Sequence, residues 1–408
     1  MPIDPFSILI LFGVTIVLGY IGSLIFDKTK IPDVAWLLIF GLLVGPVFNF
    51  VDRSIFIEAS PLLSSIALLA ILFDAGLHID FHKLIKEIPR GLVLSILGVS
   101  FSVIGVSLAL MVILRFDFWG AIILSTIIGG TSSASVVGMI SALRISDEAK
   151  MALQLESIFT DPIVIVVAIT FMQFAIAKVP LATLVNSLAS AYSIAIVLGF
   201  IIGVIWLYAL DELKKRKFDY ILTLAIVFLL YVLTETVGGS GPIAALIFGL
   251  VLGNGLIFSR FLGFKKRYKT SRLFKRFQEE IAFFIRSFFF VYLGLIASLD
   301  LIYLFYGALI TAVIAFMRIL SVQLSIFKMK LTETDLNIMR FVLPRGLAAA
   351  VLAQLPALYG IGKGDMFLNL SFNVILLTTL LTAIFIRISY KLSGQESVVK
   401  PEDTHRKK

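Results

Sequence analysis

Cysteine is absent from all 408 residues of the chain. Its absence excludes structural disulfides, thiol catalysis and metal sites built from thiolates. Charge is scarce as well, because Asp, Glu, Lys and Arg together make up only 15% of the sequence, whereas 59% is hydrophobic. Soluble domains usually carry about 25% charged residues. The composition therefore predicts a membrane protein with several spans and not a soluble core.

Enzyme motifs are also lacking. The sequence contains no glycine loop of the phosphate-binding type and no pair of histidines spaced to bind a metal. We therefore expect no enzymatic activity and no cofactor. The net charge of +9 could suggest a nucleic-acid partner, but the basic residues lie in short loops between apolar runs. Such loops indicate a protein that contacts the lipid bilayer and no nucleic acid.

Apolar runs long enough to cross a bilayer dominate the sequence. Thirteen can be counted, at about 6–26, 34–51, 60–79, 90–114, 118–143, 149–177, 182–210, 218–237, 240–259, 280–298, 301–327, 333–358 and 367–392. The loops predicted on one side hold most of the lysines and arginines, and those on the other side hold only Arg53, Arg115, Lys178 and Lys363. This asymmetry predicts an external N-terminus and a cytoplasmic C-terminus. Residues 1–392 are expected to form one transmembrane domain, followed by a short polar cytoplasmic tail, 393–408.

An internal repeat is visible in the apolar runs. The segment LIFGLLVG (38–45) in span 2 recurs as LIFGLVLG (246–253) in span 9, each shortly after a proline. Spans 1–6 therefore correspond to spans 8–13, with span 7 as the linker. Because seven is odd, the two halves have opposite orientations, as in the inverted repeats of many secondary transporters.

Two spans carry poor helix formers at matched depths. Span 5 contains GGTSSAS (129–135), and its repeat partner, span 12, contains Pro344, Arg345 and Gly346. Irregular backbone is tolerated at this depth only where protein or a cavity surrounds it. We therefore predict an all-α polytopic membrane fold with an inverted repeat, in which spans 5 and 12 are interrupted and cross beside span 6.

Span 6 concentrates polar residues in an otherwise apolar segment. Ser157 and Asp161 are four residues apart and share a helix face, and Glu156 with Thr160 forms a second such pair. Pro162 removes one backbone hydrogen bond from the same helix. This grouping suits a small desolvated cation or a proton. The alternative is a buried polar cluster that only joins helices.

The motifs together resemble a known family. The segments 31–46, 72–80, LESIFTDP (155–162) and LPRGLAAA (343–350), with the break at Thr131, resemble the monovalent cation/proton antiporters, most closely the NhaP-type sodium/proton antiporters of archaea and bacteria. The resemblance implies exchange of sodium or lithium for protons by alternating access. It also implies a homodimer in a prokaryotic cell membrane. Asp161 would bind cation and proton in turn, with Ser157 and Thr131 helping to hold the ion.

The resemblance also assigns Glu156 an arginine partner from the second half of the chain. Arg318 fits best by motif and by depth, and Arg345 is the competing partner. Thr160 departs from the family, which usually has Asn or Asp at this position. A single carboxylate implies electroneutral exchange, and Thr160 either uses its hydroxyl or merely packs.

Other residues leave alternatives open. Asp74 either tunes transport and pH response or is a plain interfacial acid. Arg286 either lines the inner funnel or reaches to water, and Glu235 is expected to be structural. Spans 3–6 and 10–13 are expected to move against spans 1–2 and 8–9. Rival functions are a potassium/proton antiporter, an organic anion symporter and a non-transporting sensor.

Overall fold

The computed structural model describes residues 13–22, 24–25, 31–50, 53–79, 81–141, 143, 145–177, 180–213, 219–261, 263, 272–326, 329 and 331–392. Within these ranges the regular structure is entirely helical, and no strand is present. The start of predicted span 1 and the predicted tail, 393–408, lie outside the described residues.

The helices follow the predicted apolar runs. In chain order they are α1 Gly13–Gly22, α2 Asp33–Leu42 (continued by a π-helical turn, Leu43–Val47), α3 Arg53–His78, α4 Phe81–Ile113, α5 Phe118–Ile127, α6 Ser133–Ser141, α7 Asp147–Ile176, α8 Leu181–Leu213, α9 Asp219–Thr236, α10 Gly241–Gly253, α11 Gly255–Phe261, α12 Arg272–Ile296, α13 Leu301–Ser325, α14 Glu333–Phe341, α15 Leu347–Leu352, α16 Leu355–Leu358 and α17 Gly364–Leu392. Among the described helices, six are long and apolar enough to cross a membrane unaided, and a seventh span results if the bent pair α10–α11 is counted.

Three predicted spans are interrupted. The gap between α5 and α6 contains Thr131, and the gap between α14 and α15 contains Arg345. The third interruption contradicts the expectation of a continuous span 9, because α10 and α11 meet at an angle of 80°. At the bend, the Asn254 side-chain amide donates to the carbonyl of Leu250 at 2.9 Å and to that of Ile79 at 2.7 Å. The backbone amide of Asn254 also donates to the Leu250 carbonyl, at 3.2 Å. Asn254 therefore ties the end of α10 to the residue that follows α3.

The helices pack as two bundles. We call α2, α3, α8, α9, α10 and α12 the frame bundle, because α10 packs against α3, α8 and α9, and α12 packs against α2 and α3. We call α4, α5, α6, α7, α13, α14, α15 and α17 the site bundle, in which α4 packs against α5, α7 and α13, and α17 against α13 and α14. The main apolar core joins the bundles and includes the fully buried Phe289 and Phe290 of α12.

Glycines bring two helix pairs of the frame bundle into backbone contact. On each of these glycines an added Cβ would overlap a carbonyl oxygen of the facing helix. The glycines and the carbonyls they face are Gly41 with Val291, Gly294 with Leu38, Gly249 with Phe73, and Gly76 with Leu246. Small residues permit this approach, as they do at many membrane helix interfaces. These glycine contacts, which we call the glycine seams, pack spans 3 and 10 within the frame bundle, whereas the sequence grouped them with the spans expected to move.

Candidate ion-binding site

Asp161 lies midway along α7, which runs unbroken through Pro162. The helix is capped by Ser146, whose side chain accepts from the amide of Ala149. The Asp161 Oδ2 accepts a hydrogen bond of 3.0 Å from the hydroxyl of Ser133, the first residue of α6. A helix N-terminus favours a negative charge. The break in span 5 therefore gives the carboxylate both a hydroxyl donor and a favourable half-helix end.

Thr160 binds the backbone at the same break. Its Oγ1 lies 3.2 Å from the amide nitrogen, 3.1 Å from the carbonyl oxygen and 3.1 Å from the hydroxyl of Thr131. Both side chains are buried. Of the two roles that the sequence left open for Thr160, this geometry corresponds to hydrogen bonding through the hydroxyl. The pair ties α7 to the irregular segment in front of α6.

Ser157 is buried one turn before Asp161, but its hydroxyl points along its own helix. It donates to the carbonyl of Gln154 at 3.0 Å. The structure therefore places Ser157 on the predicted face without bringing it into hydrogen bonding with Asp161. The hydroxyl would have to turn away from Gln154 to reach an ion held by that carboxylate.

Glu156 contacts Arg318 and not Arg345. The two side chains form a double hydrogen bond, with 2.8 Å between Nη2 of Arg318 and Oε2 of Glu156, and Nη1 paired with Oε1. Arg318 also donates from Nε to the carbonyl of Met339 at 3.0 Å. Only 2% of Glu156 and 4% of Arg318 are exposed. A Cβ added at Gly98 of α4 would lie 3.2 Å from the carboxylate, so this glycine leaves room for the pair.

Arg345 instead joins the two helix breaks. Its Nη1 donates to the carbonyls of Gly129 at 3.0 Å and Gly130 at 2.6 Å, just beyond the end of α5. A cation is favoured at a helix C-terminus, where carbonyls lack partners. The breaks also meet directly, since the amide of Ser132 donates to the carbonyl of Pro344 at 2.8 Å. The two breaks thus meet beside α7.

A cavity of about 420 Å³ opens beside Asp161, between the frame and site bundles. Asp74 and His78 line it from α3, and Glu279 and Arg286 line it from α12. The Oδ1 of Asp74 lies 3.4 Å from Nδ1 of His78. Asp74 and Arg286, for which the sequence left alternative roles open, therefore share one cavity with Asp161.

Arg286 has a charged neighbour that the sequence did not suggest. Its Nη2 lies 3.8 Å from Oδ2 of Asp33, the first residue of α2. The sequence feature that could have indicated this neighbour is an acid directly after Pro32, at the start of an apolar run. Sequence reasoning also missed the contact of Ser133 with Asp161, although Ser133 lies within the predicted break. No sequence signal marked Gly98.

The sequence pattern of the family described as "Sodium/hydrogen exchanger, transmembrane" matches residues 13–389. The chain is 29% identical over 260 residues to the Na(+)/H(+) antiporter ApNhaP of Aphanothece halophytica, a match that covers 62% of this chain and 48% of that protein. It is 26% identical over 296 residues to the probable Na(+)/H(+) antiporter 2 of Methanocaldococcus jannaschii, covering 70% and 68%. The chain thus spans about half to two thirds of the length of these relatives.

Two further comparisons extend along nearly the whole chain. The K(+)/H(+) antiporter NhaP of Alkalimonas amylolytica is 24% identical over 392 residues, covering 91% of this chain and 64% of that protein. The structure of the sodium proton antiporter MjNhaP1 from Methanocaldococcus jannaschii superposes with a TM-score of 0.76 at 24% identity, covering 95% of this chain and 100% of that one. The second comparison shows the same fold. Since the family pattern matches most of its length, the chain belongs to the transmembrane sodium/hydrogen exchanger family.

Proposed function

We propose that the protein is a secondary active transporter that exchanges sodium or lithium for protons at Asp161. The observation that carries this proposal is the carboxylate of Asp161 at the junction of a broken helix and an open cavity. A carboxylate in this position binds one ligand at a time. Either a proton or a desolvated cation neutralises it, so each displaces the other.

Ser133 and Thr131 support the exchange in different ways. The hydroxyl of Ser133 donates to the ionised carboxylate, and it must turn for its oxygen to face a bound cation. Thr131, held by Thr160, offers backbone and hydroxyl oxygens at the break. Ser157 completes the shell once its hydroxyl leaves the carbonyl of Gln154. Hard oxygen donors of this kind suit small cations.

The exchange is proposed to be electroneutral. Thr160 occupies the position beside Asp161 and cannot release a proton. Glu156 is held by both arms of the Arg318 guanidinium and is thereby kept from the exchange. One carboxylate then carries either one proton or one monovalent cation per turnover, and no net charge moves.

The architecture is proposed to have thirteen spans in an inverted repeat, within one domain over residues 1–392. The glycine seams support the repeat. In the aligned halves, Gly41 corresponds to Gly249 and Gly294 corresponds to Gly76. Gly41 faces Gly294 across one seam, and Gly249 faces Gly76 across the other. At both seams, each glycine lies against the carbonyl of the residue three positions before the glycine that it faces. This reciprocity is what a pseudo-two-fold axis between opposed halves requires.

The proposed topology and oligomeric state rest on the family resemblance. We place the N-terminus outside and the C-terminus in the cytoplasm of a prokaryotic cell, and we expect a homodimer. On this topology the Asp161 cavity opens toward the cytoplasm, because His78 and Glu279 lie near the cytoplasmic ends of α3 and α12. The conformation is then inward-facing.

Proton flux in proteoliposomes tests the function. Vesicles loaded with a pH dye are given sodium, lithium or potassium, with and without a clamped membrane voltage. We expect a response to sodium or lithium that does not depend on voltage. The Asp161→Asn variant keeps an acceptor for Ser133 but cannot bind a proton, and we expect it to fold and to lose exchange completely.

A matched control uses another acid of the same helix. Asp147 lies exposed in the first turn of α7, and Asp147→Asn should exchange at the unmodified rate. Retained exchange by Asp161→Asn would disprove the role of this carboxylate.

Potassium/proton antiport is the second candidate. The observation that favours it is the name of the Alkalimonas amylolytica relative, which aligns over 91% of this chain. A response to potassium alone in the same vesicles would select this function.

A further inference from the structure

A second cavity, of about 430 Å³, lies at the opposite ends of α3 and α7 from the Asp161 cavity. On α3, Ala70 is the first residue that lines the Asp161 cavity, and Leu68 is the last residue that lines the second cavity. On α7, Asp161 is the last residue that lines the first cavity and Ile169 is the first that lines the second. These two residues are eight positions, or about 12 Å, apart. The two cavities therefore follow one another along the same pair of helices.

Two of the residues that line this second cavity carry a buried oxygen atom without a hydrogen-bond partner. The hydroxyl of Ser64 is fully buried and makes no hydrogen bond, and the amide oxygen of Gln173 is also buried without a hydrogen-bond partner. Leaving such groups unsatisfied is costly. Hydroxyl and amide oxygens both bind alkali cations, and a small rotation of each side chain would turn its oxygen toward the cavity.

Glu235 supplies a negative charge at the same place. Its Oε1 accepts a hydrogen bond of 2.7 Å from the amide of Gly241, which fixes the carboxylate at the beginning of α10. The hydroxyl-bearing rings of Tyr192, Tyr231 and Tyr359 line the same cavity. In the described lining the only formal charge is that of Glu235, so the cavity attracts cations and repels anions.

Along α7, a buried apolar residue lies between the linings of the two cavities. Ile165 is fully buried and lies one turn beyond Asp161 on the same helix face. Leu68 of α3 is likewise buried. A cation beside Ile169 in the second cavity would be about 12 Å along α7 from Asp161, with Ile165 between them.

We propose that the second cavity is a distinct cation site on the external side, where Glu235, Ser64 and Gln173 hold a sodium or lithium ion before it passes to Asp161. This inference rests on the proposed antiport. It assigns Glu235 a role in binding, in place of the structural role expected from the sequence. It also makes the binding machinery differ on the two faces of the membrane.

Sided transport assays test this site. Right-side-out and inside-out membrane vesicles from a host that lacks its own antiporters are supplied with sodium from the outside of each vesicle. The apparent KM for sodium is measured at both faces for the unmodified protein and for Glu235→Gln. Glutamine keeps an acceptor for Gly241, so the start of α10 is preserved.

We expect Glu235→Gln to raise the KM about five-fold at the external face and to leave the KM at the cytoplasmic face unchanged. High concentrations of choline chloride should shrink the difference, because added salt screens the carboxylate. Ser64→Ala, which removes only the unpartnered hydroxyl, should raise the external KM about two-fold. This smaller variant tests the site even if Glu235→Gln does not fold.

The matched control is Asp300→Asn. Asp300 caps α13 from the same predicted face but does not line the cavity, and asparagine caps a helix equally well. Its KM should match that of the unmodified protein at both faces. An unchanged KM for both Glu235→Gln and Ser64→Ala, or an equal rise at both faces, would overturn the external site and leave the antiport standing. No exchange by the unmodified protein would overturn both.

Discussion

The frame and site bundles are held together by different forces. In the frame bundle, glycines such as Gly41 and Gly249 bring helix backbones into contact. In the site bundle, polar side chains make the decisive contacts, including Glu156 with Arg318 and Thr160 with Thr131. The contacts at glycines require the two helix backbones to lie close together, and any larger side chain there would overlap the facing helix. The polar contacts depend on burial and on each partner being present.

The contrast explains why Asp161 lies in the site bundle. A helix break exposes backbone groups that must be satisfied inside a membrane. Arg345 and Thr160 satisfy groups at the span 5 break and leave the beginning of α6 directed at Asp161. The continuous, glycine-packed helices α3 and α12 instead provide one wall of the cavity. We therefore expect substitutions in the two bundles to reduce stability by different amounts.

Breaking the buried ion pair should have the largest effect. Arg318→Met leaves Glu156 charged and buried without its partner, which costs about 3–5 kcal/mol. We expect a large loss of yield and of melting temperature, measured by tryptophan fluorescence in detergent. The double variant Glu156→Gln/Arg318→Met removes both charges and should recover most of the loss. If the single variant melted like the unmodified protein, the pair would not hold the site bundle together.

Adding one methyl group to a glycine seam should cost less. Gly249→Ala places its Cβ against the carbonyl of Phe73 in α3, and Gly41→Ala does the same against Val291 in α12. We expect each to cost about 1–3 kcal/mol by overpacking. Gly13→Ala is the control, because no atom of a facing helix in the described part of the chain lies within 4 Å of its added Cβ. Thermal melts of all three test the repeat, since unequal losses at the two seams would argue against their equivalence.

Removing the Thr160 hydroxyl should have a moderate effect. Thr160→Val keeps the shape of the side chain but leaves the amide of Thr131 without its hydrogen bond, at a cost of about 1–2 kcal/mol. Exchange should slow several-fold because the break beside Asp161 loosens. Thr160→Ser retains the hydroxyl and should behave like the unmodified protein. Equal exchange rates for Val and Ser would show that Thr160 only packs.

The ion pair of the frame bundle should matter least. Arg286 and Asp33 are 24% and 19% exposed and lie 3.8 Å apart, so Asp33→Asn should cost less than about 1 kcal/mol. The melting temperature should barely change. A loss as large as that of Arg318→Met would mean that burial is not what distinguishes the two pairs.

Much of the fold was readable from the sequence because its causes are local. A bilayer demands long apolar runs, and the described helices fall on the thirteen predicted segments. Gly129 and Pro344 marked both predicted breaks, since poor helix formers act through their own backbone. Asp161 was identifiable because a carboxylate inside an apolar span needs a reason to be there.

The remaining features depended on contacts between distant parts of the chain. Glu156 and Arg318 are 162 residues apart, and only the packing of α7 against the site bundle decided between Arg318 and Arg345. Only the tertiary structure brought Ser133 to Asp161 and bent span 9 at Asn254, where the side chain donates to the carbonyl of Ile79, just after α3. By itself the sequence determined the membrane class and most of the helices, because hydropathy and backbone propensity act locally, and it singled out Asp161 as the candidate carboxylate. The tertiary structure decided which polar groups meet, because a hydrogen bond is satisfied by whichever partner packing brings within reach.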